Sequence, residues 1–348
     1  MAGLPHDGTA SGDPVPSTSM SAPPLHVVHL GLLTTQVINA LYNVLMQYLV
    51  SPAVSITPLV FCAYRDVLAW PLLLTACTWT LPRWSSSSSA ALSKPYVPSL
   101  LLPADKREWP QLALQALLGV FCNQLFFLYG VQLTDATTAA IVNLSLPIFT
   151  ASLAVCMGVE VPRWRTAAGI ALAVAGAAVL KLGAGSSSSP ASSSSRSLAL
   201  NTAGITVLLL GALASAVYLL LQASMLKRHP ALLVTTWEYL VGAALVSVAA
   251  LLYTPLDGLV LSKAALPALV FSVVGNSCMK YFLQALCNKH AGSVVTTVWS
   301  TLCPALTAAL SVLMLGAELS WSHVGALPVA AGAYLVTAAR TSHHDQQR

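Results

Sequence analysis

A few polar residues inside long apolar stretches carry the chemistry this chain could perform. Gln36, Asn39, Asn43 and Gln47 follow one another at helical spacing, which puts all four amides on one face. Asn276, Lys280 and Gln284 repeat the arrangement at four-residue intervals. Amides and an ammonium group hold a polar or anionic molecule; they supply no nucleophile. An amide stripe facing lipid would be costly. Each stripe therefore faces other helices, either lining a water-filled cavity or hydrogen-bonding its neighbours.

Lys280 lies well inside its apolar stretch; it either snorkels to the surface, if the stretch ends a turn earlier, or needs a carboxylate, an anionic solute or a water-filled cavity. Glu238 is the carboxylate clearly within a neighbouring stretch, so a Lys280–Glu238 contact is expected. Alternatively, Glu238 takes a proton or sits near the membrane interface. Arg65 and Asp66 are adjacent, and adjacent helical residues do not face each other, so no simple internal ion pair is expected. Arg65 either snorkels to the surface or binds an anionic group. Asn123 and Asn143 add further amides, and Tyr64, Trp70, Trp237 and Trp299 are candidate aromatic walls. Trp79, Trp84, Trp109, Trp164 and Trp321 read as interfacial anchors.

Pro147 and Pro304 each interrupt an apolar stretch. Proline frees a carbonyl one turn back and kinks the helix, which suits a hinge or a binding site. Prolines are also ordinary in membrane helices. Glu160 and Glu318 fall at stretch ends and read as packing or orientation residues. The cysteines lie in apolar stretches without metal-ligand spacing. No phosphate-binding loop, paired catalytic carboxylates or HExxH pattern occurs, so the sequence predicts neither an enzyme nor a cofactor.

The elements that position these residues follow from composition. Of 348 residues, 56% are hydrophobic and only 8% charged, with a mean hydropathy of +0.74. A soluble domain is about 25% charged, so this chain cannot cover a water-facing surface. Apolar runs of this length favour helices over barrel strands. The reading is all-α and polytopic, with ten membrane helices near 26–50, 58–79, 109–130, 134–157, 162–182, 199–226, 231–253, 263–286, 291–315 and 320–340. A net charge of +5 is too small and scattered for a nucleic-acid partner.

Residues 1–25 form a Gly-, Pro- and Ser-rich tail, 80–108 a Ser-rich loop, 183–198 a Ser-rich linker and 341–348 a polar tail. The linker divides the chain into five-helix halves at 26–182 and 199–340. Arg83, Lys94, Lys106, Arg107, Arg163, Arg165, Lys227, Arg228, Lys289, Arg340 and Arg348 fall on one side, against Lys181, Arg196 and Lys263 on the other. Positive charge prefers the cytoplasm, so both termini are expected there. The plasma membrane and organelle membranes such as vacuole, plastid or Golgi fit equally.

The halves resemble each other. Gly158-Val159-Glu160-Val161 matches Gly316-Ala317-Glu318-Leu319, Pro147 matches Pro304, and Asn123 and Asn276 occupy similar places. An odd number of helices per half makes the repeats inverted, and inverted repeats meet around a midplane site and allow alternating access. The small-residue helices 162–182 and 320–340 suit scaffold or homodimer contacts.

Ala63-Tyr64-Arg65 with Trp70-Pro71, Leu118 through Gly130, Thr134-Asp135-Ala136-Thr137, Asn143 through Pro147, Gly316-Ala317-Glu318-Leu319 and Gly332-Ala333-Tyr334 stand in a definite order. Together they make the chain resemble EamA-type carriers of the drug/metabolite transporter superfamily, and within them the plant WAT1-related, nodulin-like group. The resemblance covers about 26–340. It implies ten helices in two inverted halves, cytoplasmic termini and a central cavity. The long Ser-rich loop and Lys280 depart from that group and indicate a divergent member. The resulting expectation is a secondary transporter of a small polar organic solute, such as an amino acid or indole acid, working by alternating access. It would be driven by protons or exchange. The alternative is a membrane-embedded binding or partner protein that moves nothing.

Overall fold

The computed structural model describes residues 24–49, 57–85, 105–133, 142–161, 164–184, 195–255, 261, 263–315, 328, 331, 332 and 335. The N-terminal and C-terminal tails, most of both Ser-rich stretches, Thr134 to Thr137, the Gly316–Leu319 motif and almost all of the expected helix 320–340 lie outside the described residues, as does the Gln47 side chain. Every regular element among the described residues is helical.

The helices are α1 (Leu25–Leu49), α2 (Pro58–Ser85), α3 (Trp109–Ala116), α4 (Asn123–Leu133), α5 (Leu146–Cys156) and α6 (Trp164–Ala184). They continue with α7 (Ser195–Leu226), α8 (Ala231–Tyr253), α9 (Leu266–Phe271), α10 (Tyr281–Ala291), α11 (Ser293–Ser300) and α12 (Cys303–Leu315). Two of the Ser-rich boundaries shift. Helix α2 runs on to Ser85, and α7 begins at Ser195, because serine is tolerated at helix ends. A 3₁₀ turn at Lys106–Glu108, capped by the Asp105 carboxylate accepting from the Arg107 amide at 2.9 Å, leads into α3.

Two spans contain π-helical segments. Leu117–Cys122 joins α3 to α4, and Ser272–Lys280 joins α9 to α10. Each segment carries a glycine, Gly119 or Gly275. These composite helices belong to the expected third and eighth spans. The expected ninth span breaks instead of running straight: α11 ends at Ser300 and α12 starts at Cys303. Gly292, at φ 79, turns the chain from α10 into α11, a conformation that favours glycine.

Among the described residues, five helices are long and apolar enough to cross a membrane: Leu59–Thr80, Lys106–Gly130, Thr202–Leu226, Ala231–Tyr253 and Leu266–Ala291. Their outer surfaces stay apolar. Trp79 and Leu252 are each more than three-quarters exposed, as is Leu313 of α12, which suits contact with lipid. The chain is therefore an integral, multi-pass membrane protein.

Lipid tails are as apolar as leucine, so helix association rests on close packing more than on hydrophobic burial. The packing here brings the two halves together. Helix α2 lies along α8, and α4 along α7. Phe61, Ala69 and Leu73 of α2 share a cluster with Tyr239 of α8 and Ala268 and Leu269 of α9. Val28 and Leu32 of α1 pack with Ala154, Leu220, Cys287 and Val298. At Gly119 a Cβ would run into the Tyr218 ring, so the missing side chain is what lets the π-helical segment meet α7.

Candidate functional site

The polar residues form three groups in the core and one at a helix end. The first surrounds Arg65, which is only 3% exposed. Its Nε donates to Asp66 Oδ1 at 2.8 Å and its Nη1 to the Tyr42 hydroxyl at 2.9 Å. Gln124 Nε2 donates to the other Asp66 oxygen at 2.8 Å. This corrects the expectation that Arg65 and Asp66 form no internal pair. The spacing rule concerns where side chains leave the helix, and an arginine is long enough to bend back onto the neighbouring carboxylate. Arg65 therefore does not snorkel. Its Nη2 is buried without a hydrogen-bond partner among the described residues.

Tyr42, Trp70, Tyr239 and Tyr281 pack within the same cluster. The Tyr239 and Tyr281 rings meet edge to face at 5.5 Å. Lys280 follows directly, its Nζ 4.2 Å from the Tyr281 ring centroid. Asn276, on the π-helical segment, is 3% exposed, and its Oδ1 has no hydrogen-bond partner among the described residues. Gln284 is half-buried one turn beyond Lys280.

The expected Lys280–Glu238 contact is not made. Glu238 belongs to the second group, where the Tyr218 hydroxyl donates to its Oε2 at 3.1 Å and Gln222 Nε2 donates to the same oxygen at 3.0 Å. Asn288 Nδ2 donates to Gln222 Oε1 at 3.1 Å, and Ser293 Oγ donates to Asn288 Oδ1 at 3.0 Å. Tyr218 and Gln222 sit four residues apart on α7, so both reach α8 from one face. The carboxylate is occupied by donors from α7 and does not reach Lys280. Glu238 is 1% exposed.

The third group joins α1 to α12. Asn39 and Asn43 each donate an Nδ2 hydrogen to Cys303 Sγ, at 3.1 and 3.3 Å, and Asn43 also reaches Thr307 Oγ1 at 3.5 Å. Gln36 is buried and donates to the adjacent Thr35 hydroxyl at 3.3 Å. Of the two readings left open by the α1 amide stripe, these contacts match hydrogen bonding between helices for Asn39 and Asn43. Trp299 of α11 stacks on His29 of α1, with ring centroids 5.6 Å apart.

Pro147 and Pro304 take corresponding positions. Each is the second residue of a helix that restarts after a two-residue turn, Leu144–Ser145 before α5 and Thr301–Leu302 before α12. Proline's missing N–H costs nothing there. Asn143 lies just ahead of the first break and is exposed, while Asn123 opens α4 directly after its π-helical segment and is half-buried. Tyr64 is exposed, and Trp237 is buried edge to face against His229.

At one end of the helices Glu108 accepts from Arg228 Nη1 at 2.7 Å and meets His229 Nε2 at 2.8 Å. Arg228 Nη2 also donates to Gln111 Oε1 at 3.2 Å. This cluster ties the 3₁₀ turn before α3 to the turn between α7 and α8. The sequence reading placed Glu108 in a loop and missed it. The signal for Tyr218 and Gln222, two polar residues at i and i+4, was present in the sequence.

Comparison with known proteins follows this geometry. Residues 27–182 and 202–338 match the EamA-like transporter family. A WAT1-related protein of Arabidopsis thaliana is 29% identical over 259 residues, covering 66% of this chain and 69% of the relative. Another from the same plant is 24% identical over 330 residues, covering 89% and 85%. Protein WALLS ARE THIN 1, also of Arabidopsis thaliana, is 25% identical over 344 residues, covering 89% and 82%. A crystal structure aligns with 90% of this chain and 96% of its own at a TM-score of 0.68 and 19% identity, a likeness of fold.

Proposed function

The chain belongs to the EamA-like transporter family, and on that premise we propose that it carries a small polar organic solute by alternating access. At the coarser level it is a membrane transporter of small solutes. The observation that carries the finer reading is the junction of the two matched regions. Polar side chains from both meet there, the half-buried Asn39 and Asn43 of α1 on the buried Cys303 and Thr307 of α12. Weak hydrogen bonds between amides and a thiol are contacts that a moving helix can break and remake at low cost. The helix restarts at Pro147 and Pro304 offer corresponding places to bend. Both supports fit two halves rocking against each other around a midplane site.

We place both termini in the cytoplasm from the distribution of Lys and Arg. Energy comes from a proton gradient or from exchange of one solute for another. The test is uptake into liposomes holding the purified protein. The external mixture contains amino acids, indole acids, nucleobases, sugar phosphates and nucleotide sugars, read by mass spectrometry with and without a pH gradient. Selective entry that saturates with concentration supports a carrier. Binding without entry, from folded and inserted protein, favours the non-transporting binding protein.

A further inference from the structure

Lys280 is a cation inside a membrane span with no anion beside it among the described residues. Its helix runs across the membrane from Leu266 to Ala291. Lys280 lies fourteen residues from the first end of that helix and eleven from the second, well inside it. Among the described residues no carboxylate lies within 4.0 Å of it. Among the described residues the two carboxylates of the surrounding spans, Asp66 and Glu238, are engaged elsewhere. Asp66 is held by Arg65 and Gln124, and Glu238 by Tyr218 and Gln222. What Lys280 has is the face of Tyr281, 4.2 Å from Nζ to the ring centroid.

A ring face attracts the ammonium through its quadrupole but accepts little of its hydrogen bonding, so the donors of Lys280 remain available to an oxygen anion. The surroundings suit such a guest. Arg65 borders the same tyrosine cluster with its own charge matched by Asp66 and its Nη2 without a partner among the described residues. Asn276, one turn before Lys280, is buried with its Oδ1 likewise without one. Charged residues inside membranes are retained where they pair or line a solute path. A neutral solute would leave Lys280 without a counter-charge.

We infer that the solute carries a carboxylate or phosphate group and that Lys280 is its counter-ion at the junction of the two halves. This rests on the carrier reading and narrows it to an anionic substrate class. Asn276 and Gln284 flank the charged contact as neutral hydrogen-bonding neighbours.

The test compares matched pairs of probes that differ in charge: succinate with succinamide, benzoate with benzamide, and glycerol 3-phosphate with glycerol. Thermal stabilisation of the detergent-solubilised full chain reports binding, and liposome uptake reports transport. At least one acid should stabilise the wild type and enter about tenfold or more faster than its neutral partner, since a charge-assisted contact is worth at least that factor. Lys280→Gln should remove that preference, and Lys280→Arg should keep part of it. The carboxylate and phosphate pairs distinguish the two anion types. The wild-type comparison stands even where Lys280→Gln does not fold. Equal behaviour of acids and neutral partners, an acid preference intact in folded Lys280→Gln, or no stabilisation by any acid would overturn the inference. Neutral solutes entering without an acid preference would sink the inference and leave the carrier. Lys280-dependent acid binding without uptake would do the reverse.

Discussion

Lys280 and Tyr281 are sequence neighbours that form a contact, with the Lys280 ammonium 4.2 Å from the Tyr281 ring centroid. Tyr281 in turn meets Tyr239 of α8 edge to face. The charge is thus held beside the junction of α8 and α10 by the face of Tyr281, whereas the acids Asp66 and Glu238 are each held by donors of their own. Tyr281→Leu removes the ring face and should lower the melting temperature by an amount equivalent to about 0.5–2 kcal/mol. The same loss in Lys280→Gln and in Lys280→Gln/Tyr281→Leu would identify the cation–π contact as its source. Independent, additive losses would contradict it.

Arg65 and Asp66 should behave as a buried ion pair. Asp66→Asn leaves the guanidinium without its counter-charge and should cost about 3–5 kcal/mol. Arg65→Met/Asp66→Leu removes both charges and should cost less than either single change. Unfolding midpoints in detergent measure this, and strict additivity of the two single losses would refute the pairing.

The Glu238 network predicts coupling between α7 and α8. Glu238→Leu takes the acceptor from the Tyr218 hydroxyl and leaves the Gln222 Nε2 only its contact with Tyr218, a loss of about 1–3 kcal/mol. Adding Gln222→Leu should cost much less than Gln222→Leu alone, because the two residues share their hydrogen bonds. A double-mutant cycle on melting temperature with no interaction energy would count against the network.

Gly119 should tolerate no side chain. Gly119→Val drives a branched group into Tyr218 and should destabilise the fold by about 1–3 kcal/mol. Tyr218→Ala should relieve much of that loss in the double variant. If it relieves none, the close approach at Gly119 is not what limits the position.

Glu108 ties two turns together at the helix ends, yet Arg228 is 52% exposed. The Glu108–Arg228 coupling should therefore be below about 1 kcal/mol and shrink as salt is added. Cycles at low and high salt test this; coupling unchanged by salt would indicate a more buried pair.

Legibility in the sequence depended on the kind of feature. Helical class and membrane insertion follow from composition, because so few charges cannot solvate so much apolar surface. Most span positions followed from apolar length, as at Ala231–Tyr253. The π-helical segments left no trace in hydropathy, since Leu117–Cys122 reads as one more apolar turn; only Gly119 hinted at a close approach. Partner choice was the least legible. Spacing places Glu238 and Lys280 on helices but does not say that Tyr218 and Gln222 reach the carboxylate first. Rules for adjacent residues likewise describe where side chains start, and Arg65 is long enough to finish elsewhere.

The most direct measurement is counterflow in liposomes. Vesicles loaded with an unlabelled solute identified by the uptake screen are placed in a trace of the same labelled solute, with no net gradient of driving ions. A carrier that alternates between two faces should accumulate label transiently and faster than empty vesicles do, because the loaded form returns readily. Label entering at the same rate whatever the internal solute, without saturation, would indicate a pore. Label bound to the protein but never inside the vesicle would contradict transport altogether.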